Sequence, residues 1–296
     1  MKINDSYCCP ACGNTNLSKI NYREGVILIC KVCRLQFGHV LVEEYNRAVT
    51  VRDEGILLST GNHYMDPSSI GDPQYYTPYT EFIRTISDRF QIIKGARILD
   101  IGCGNGIFIK HCLKLGYDAY GVEINEKIKE SIPCDIRHRI IWKDASKMDL
   151  TDLGKFDVVT FWDSFEHMKN GFDLLESIKA NLSEKCIIYL RVNNNNDILN
   201  LVSLALLNIF PSLGKKVFKT CFGFPTHLWN YSVTGMKLLA DKYGWRVEYV
   251  LIGETPASRL ASSRLMRIIF ELGYRVNRAI SGGKIGNYYI RFRDKR

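Results

Sequence analysis

The stretch ARILDIGCGNGIF at residues 96–108 restricts this chain more than any other. Its first half is a continuous apolar run without polar alternation, the pattern of a strand buried on both faces of a parallel sheet. The run ends in Asp100, and Gly102, Gly104 and Gly106 follow before a second apolar segment with helical spacing. A strand, a glycine turn and a helix in immediate succession open a βα unit whose turn lets backbone approach a ligand closely.

Strand-like and helix-like segments alternate from Ile92 onward. ARILDI, YDAYGVEI, RIIWKDA, FDVVTFWD and CIIYLRV read as strands. GIFIKHCLKLG, NEKIKESI and GFDLLESIKANL read as helices between them, the first stopped by Gly116. Such alternation predicts an α/β doubly wound sheet. Further on, DILNLVSLALLNIF is an apolar helix capped by Asp197, and WRVEYVLI and NYYIRFR are strands flanking a basic amphipathic helix. The run of asparagines at 193–196 reads as a polar loop after a strand.

The acids decide which nucleotide fits. A dinucleotide site wants G-x-G-x-x-G, with amides and a helix start facing a pyrophosphate. Here the spacing is G-x-G-x-G, and Asp100 stands at the mouth of the turn. A carboxylate there repels phosphate and favours a ligand carrying ammonium or sulfonium charge. S-adenosylmethionine carries both and no phosphate. Glu123 ends the second strand, 21 residues after Gly102, where an acid meets ribose hydroxyls. Asp144 follows the third, placed to reach an adenine amine.

ILDIGCGNG, GVEIN, KDASKMDL and FDVVTFWDSFEHMKN together resemble the successive motifs of class I S-adenosylmethionine-dependent methyltransferases, over roughly residues 75–296. The resemblance implies a Rossmann-like seven-stranded methyltransferase sheet with an antiparallel last strand. It also implies cofactor contacts from Asp100, Gly102, Cys103, Gly104, Glu123, Ile124, Asp144, Ala145 and Asp163. The variant resembles bacterial small-molecule and sugar methyltransferases, which implies a small or glycosidic acceptor such as a nucleotide-sugar or lipid-linked sugar, as used in surface-polysaccharide or secondary metabolism.

Methyl transfer needs aligned partners, exclusion of water and usually removal of a proton. His227, in PTHLWNYS, and His167, in WDSFEHM, are the candidate bases, and Tyr76 is a third candidate within a lid that includes Tyr75 and Tyr79. Asp163, Glu166 and His167 are similar to the metal motif of ubiquinone-type O-methyltransferases, which leaves a divalent ion there as an alternative.

Near the N-terminus, Cys9-x-x-Cys12 and Cys30-x-x-Cys33 are separated by 17 residues. Four thiolates in two such turns suit a tetrahedral structural zinc, as in a zinc ribbon. Cys8 is then a spare and His39 a less favoured ligand. The chain is thus expected to comprise a zinc-ribbon-like module over 1–40, a linker and helical lid over 41–90, and the methyltransferase domain over 91–296, with helical insertions at about 197–222 and 258–280.

Charge points to the partner. Net charge is +9, and residues 215–296 hold 16 Lys/Arg against 5 Asp/Glu, so the whole of the excess lies in the last third while the rest is slightly acidic. An anionic acceptor, a membrane surface or nucleic acid would suit it. An RNA methyltransferase using the ribbon to bind RNA is therefore an alternative, although FWDSFEH lacks the Asn/Asp-Pro-Pro-aromatic signature used on base amines. A non-catalytic binding protein with the cofactor fold is a second. The opening residues are no signal peptide, which places the chain in the cytoplasm, with peripheral contact at the inner membrane face left open.

Overall fold

The computed structural model describes residues 7–49, 76–147, 150, 153–254, 264–281 and 283–292. Three strands come first: β1 (Leu17–Tyr22), β2 (Gly25–Cys30) and β3 (Gln36–Val40), followed by helix α1 at residues 42–49. The larger sheet contains β4 (Arg97–Ile101), β5 (Asp118–Glu123), β6 (Ile140–Trp142), β7 (Phe156–Trp162), β8 (Leu182–Asn193), and then β10 (Trp245–Gly253) and β11 (Ile285–Phe292), with β9 (Trp229–Asn230) outside it. The helices are α2 (Thr77–Phe90), α3 (Ile107–Lys114), α4 (Cys134–Arg137), α5 (Gly171–Ser177), α6 (Ile198–Ile209), α7 (Pro211–Phe222), α8 (Val233–Lys242) and α9 (Arg264–Ser281).

The larger sheet has the order β10-β11-β8-β7-β4-β5-β6. β4 through β8 run parallel, and β11 lies antiparallel between β8 and β10. This is the Rossmann-like methyltransferase sheet expected from the sequence. Its centre is parallel because the strands are apolar on both faces. Leu99, Val159 and Ile188 enter one core layer, while Ile98, Val158 and Ile187 enter the other. Helix α2 seals the second layer with Tyr79, Phe82 and Ile86, spaced to share one helical face.

The N-terminal module is joined to this domain through a second sheet, ordered β1-β2-β3-β9, whose last strand comes from the larger domain. Gln36 pairs with Asn230 and Phe37 with Trp229. Ser232 Oγ donates to the Cys33 carbonyl at 2.5 Å, and Asn195 Nδ2 donates to the Arg34 carbonyl at 2.5 Å. Burying these groups together fixes the module's position, since each would be costly left unpaired.

One segment differs from its sequence reading. NEKIKESI forms a 3₁₀ turn rather than an α-helix, because the Asn125 side chain caps Lys127 N and Pro133 follows closely. The asparagine run forms the turn after β8 that the sequence predicts, with Asn194 and Asn195 buried in it and bridging three parts of the chain. Helix α6 ends just before Pro211, which opens α7, where a missing N–H costs nothing. Part of the expected 258–280 helix, residues 258–263, lies outside the described residues, as does Tyr75; α9 covers 264–281.

Candidate active site

The carboxyl ends of β4, β5, β6 and β7 open onto one cavity of about 750 Å³, within the roughly 300–1,000 Å³ typical of small-molecule sites. Gly102, Glu123, Ile124, Asp144, Ala145 and Asp163 line it. Asp100 lies beneath the turn, 2% exposed, where Thr160 Oγ1 donates to its carboxylate at 2.7 Å. Burial pushes its carboxyl up to about 7; the Thr160 bond opposes this and the nearby Glu123 charge adds to it. Asp100 and Gly104 are not themselves lining residues: Asp100 sits behind the lining residues Ile101 and Gly102. Among the described residues neither Asp100 nor Glu123 forms an ion pair, so this wall of the cavity suits a cation.

Glu123 ties the turn to β5. Its Oε2 accepts from Gly104 N at 2.9 Å and its Oε1 from Asn125 N at 2.8 Å. Asp144 accepts from both the amide and hydroxyl of Ser146, and those bonds hold its carboxyl below its usual value. Cys103 is buried with its sulfur facing Gly121, so its backbone, and not its thiol, belongs to the turn.

Two glycines have separable roles. A Cβ on Gly102, at φ +78°, would stand 2.6 Å from Ser164 Cβ. Gly104, at φ +53°, would place a Cβ in open space. Gly102→Ala is therefore expected to cost about 1–3 kcal/mol and lower Tm by several degrees in a melting scan. Gly104→Ala should melt closer to wild type while obstructing ligand, and equal melting losses would contradict this.

Asp163 adopts φ +53° and forms an ion pair with Arg191, which is almost wholly buried. Arg191 was not foreseen as a site residue. The available signal was a lone charge inside the apolar strand CIIYLRV. Thr160 and Ser164 were also missed; Ser164 Oγ donates to the Ile101 carbonyl at 2.6 Å and locks the glycine turn to the end of β7.

His167 lines the cavity, and His227 sits edge-on to it with ring centroids 4.6 Å apart. His167 Nδ1 lies 2.9 Å from the Thr226 carbonyl, which can only accept, so that nitrogen carries hydrogen and Nε2 holds the lone pair of the neutral ring. Asn193 Nδ2 lies 3.0 Å from His227 Nδ1, which accepts from it. The loop carrying His227 is held by Leu228 N donating to the Glu166 carbonyl and by Trp229 Nε1 donating to the Met168 carbonyl. Ligand atoms of Glu166, His167 and His227 lie within 4.8 Å of one another, so the third group beside Glu166 and His167 is His227, whereas Asp163 is engaged by Arg191. Tyr76 stacks on His111 at 5.2 Å and is not among the cavity's lining residues.

A family model described as a methyltransferase domain matches residues 73–250. The chain belongs to this family. It is 29% identical over 118 residues to a ubiquinone biosynthesis O-methyltransferase of Glaesserella parasuis, an alignment covering 37% of this chain and 50% of that protein. It is 31% identical over 77 residues to a probable ribosomal RNA small subunit methyltransferase A of Methanococcus maripaludis, covering 25% and 29%. The chain thus spans half or less of the length of these curated relatives. A solved S-adenosylmethionine-dependent methyltransferase from Archaeoglobus fulgidus is similar at 21% identity and TM-score 0.46, covering 72% of this chain and 93% of that one.

The module attached to this methyltransferase domain gathers Cys9, Cys12, Cys30 and Cys33, whose sulfurs all lie within 4.8 Å of one another. Cys9 Sγ is 3.4 Å from Cys33 Sγ, and Cys12 Sγ is 3.5 Å from Cys30 Sγ. Tetrahedral zinc with bonds of about 2.3 Å would set sulfurs about 3.8 Å apart, so this donor set fits the ion. Cys8 is exposed and outside the cluster; His39 packs against Tyr7 and Phe37. Among the described residues no helix is long and apolar enough to cross a membrane.

Proposed function

We propose that this methyltransferase uses S-adenosylmethionine to methylate a small-molecule or glycosidic acceptor, such as a nucleotide-sugar or lipid-linked sugar, and that zinc holds its N-terminal module in place. The observation that carries the reading is the pair of buried acids, Asp100 and Glu123, beneath a glycine turn at a cavity large enough for a cofactor and a small acceptor. When bound, the cofactor supplies an electrophilic methyl on a sulfonium. Asp100 and the turn suit its amino-acid end, Glu123 its ribose and Asp144 its adenine, while Ile124 offers an apolar surface.

The chain's own part is to place the acceptor and take its proton. His167 Nε2 is the base, since Nδ1 is committed to the Thr226 carbonyl and the ring faces the cavity. His227 positions that ring from its edge. His167→Ala should lower kcat by about 10²–10⁴-fold with little change in cofactor affinity. His227→Ala should cost less, and the reverse order would exchange the two roles.

RNA methylation is the second reading, favoured by the ribosomal RNA relative and the +9 charge. Incubation with methyl-labelled cofactor and separate pools of nucleotide-sugars, membrane lipids and RNA separates the two. Label in the first or second pool supports the proposal, and label confined to RNA overturns it.

A further inference from the structure

We infer that the face formed by α6, α7 and α9 docks on an anionic membrane surface. α9 touches the rest of the molecule on one side, through buried Asn277, whose Oδ1 accepts from Ile198 N at 2.8 Å, and half-buried Tyr274. On the other side Ile268, Leu272 and Val276 are each about half exposed. At 100° per residue these three span an arc of about 80°, with Arg275 within it or at its border. α6 repeats the pattern: Leu199, Val202 and Ile209 are exposed, and the stripe continues through Phe210 and Leu213 into α7.

What covers these stripes follows from their charge. The three helices carry seven Lys/Arg, among them exposed Lys215, Lys216, Arg275 and Arg278, against the single acid Glu271. A second copy of the face would set these cations against one another. A bilayer bearing anionic headgroups takes both components, the apolar side chains below the headgroups and the cations among them.

The topology gives the surface a place in the enzyme. β10 ends at Gly253, paired with Ile285, and Ile285 pairs with Asn193 at the end of β8. Gly253, Ile285 and the start of α6 therefore stand at the carboxyl edge of the sheet, the edge that holds the cofactor cavity. Docking would turn that edge toward the lipid. The docking itself is independent of which molecule is methylated.

Cosedimentation of the full chain with vesicles tests it. With about one part in three phosphatidylglycerol in phosphatidylcholine, the chain should bind at about 0.1 M salt and be released near 1 M. It should bind pure phosphatidylcholine far more weakly. Arg275→Gln with Arg278→Gln should reduce binding about 30-fold, at roughly 1 kcal/mol for each cation near the surface. Leu272→Glu with Val276→Glu should abolish binding, with Tm and cofactor affinity unchanged because both side chains are exposed. No binding to anionic vesicles, equal binding to neutral ones, or binding unaffected by either double variant overturns the proposal. So does a solution dimer that Leu272→Glu with Val276→Glu dissolves without any vesicle binding, which would assign the face to a second copy.

Discussion

Replacing Asp100 with asparagine should weaken S-adenosylmethionine about 10- to 100-fold and at the same time stabilise the ligand-free protein near pH 8. The first effect is the loss of a charge-assisted interaction worth about 1.5–3 kcal/mol. The second follows from linkage. Burial raises the folded-state value of Asp100 to about 7, above its unfolded value near 4. Across that window the folded chain holds the proton more tightly, so the ligand-free protein loses stability as pH rises from about 4 toward 7. Asparagine keeps the Thr160 hydrogen bond and removes the titration. A cationic ligand requires the ionised carboxylate, so wild-type affinity should rise about tenfold between pH 6 and 7.5, and the variant's should stay flat. Isothermal titration across that range with parallel melting curves checks both. An unchanged affinity in the variant would remove Asp100 from the site.

Removing zinc should have the widest effect on the fold. Structural zinc in small modules contributes about 10–16 kcal/mol of apparent binding energy, as much as or more than the net stability of a domain. Here the ion would hold the two cysteine turns around a core containing Val26, Leu28, Leu35 and Phe37. That core is continuous with the methyltransferase domain, and Gly38 N donates to the Leu228 carbonyl next to His227. A strong chelator, or Cys33→Ser, is therefore expected to lower Tm by well over ten degrees and to reduce turnover as the histidine loop loosens. Elemental analysis should find one zinc per chain. A metal-free protein with unaltered melting would contradict the account of the module.

What was legible in the sequence was what local pattern encodes. The apolar runs of β4, β7 and β8 and the glycine turn specified the parallel centre of the sheet. Asp100, Glu123 and Asp144 announced themselves because acids closing apolar strands have no structural reason to be there. The cysteine spacing likewise brought four sulfurs together as read. What stayed hidden depends on partners distant in sequence. β3 pairs with β9 across nearly two hundred residues, and Asn194 and Asn195 became buried because each found carbonyls to bind elsewhere in the chain. The placement of His167 on the cavity wall, with His227 at its edge, depends on the loop 223–231 folding back onto residues 165–168. Arg191 was concealed for the same reason, since its meaning comes from Asp163, just past the end of the neighbouring strand.

The most direct test is calorimetric titration of the purified, zinc-loaded chain with S-adenosylmethionine and, separately, with NAD, in two buffers of different ionisation enthalpy at pH 6.5. The account predicts one S-adenosylmethionine per chain with net release of about three quarters of a proton, as Asp100 ionises against the cation, and no binding of the dinucleotide. Absence of S-adenosylmethionine binding, or a dinucleotide bound as tightly, would contradict it.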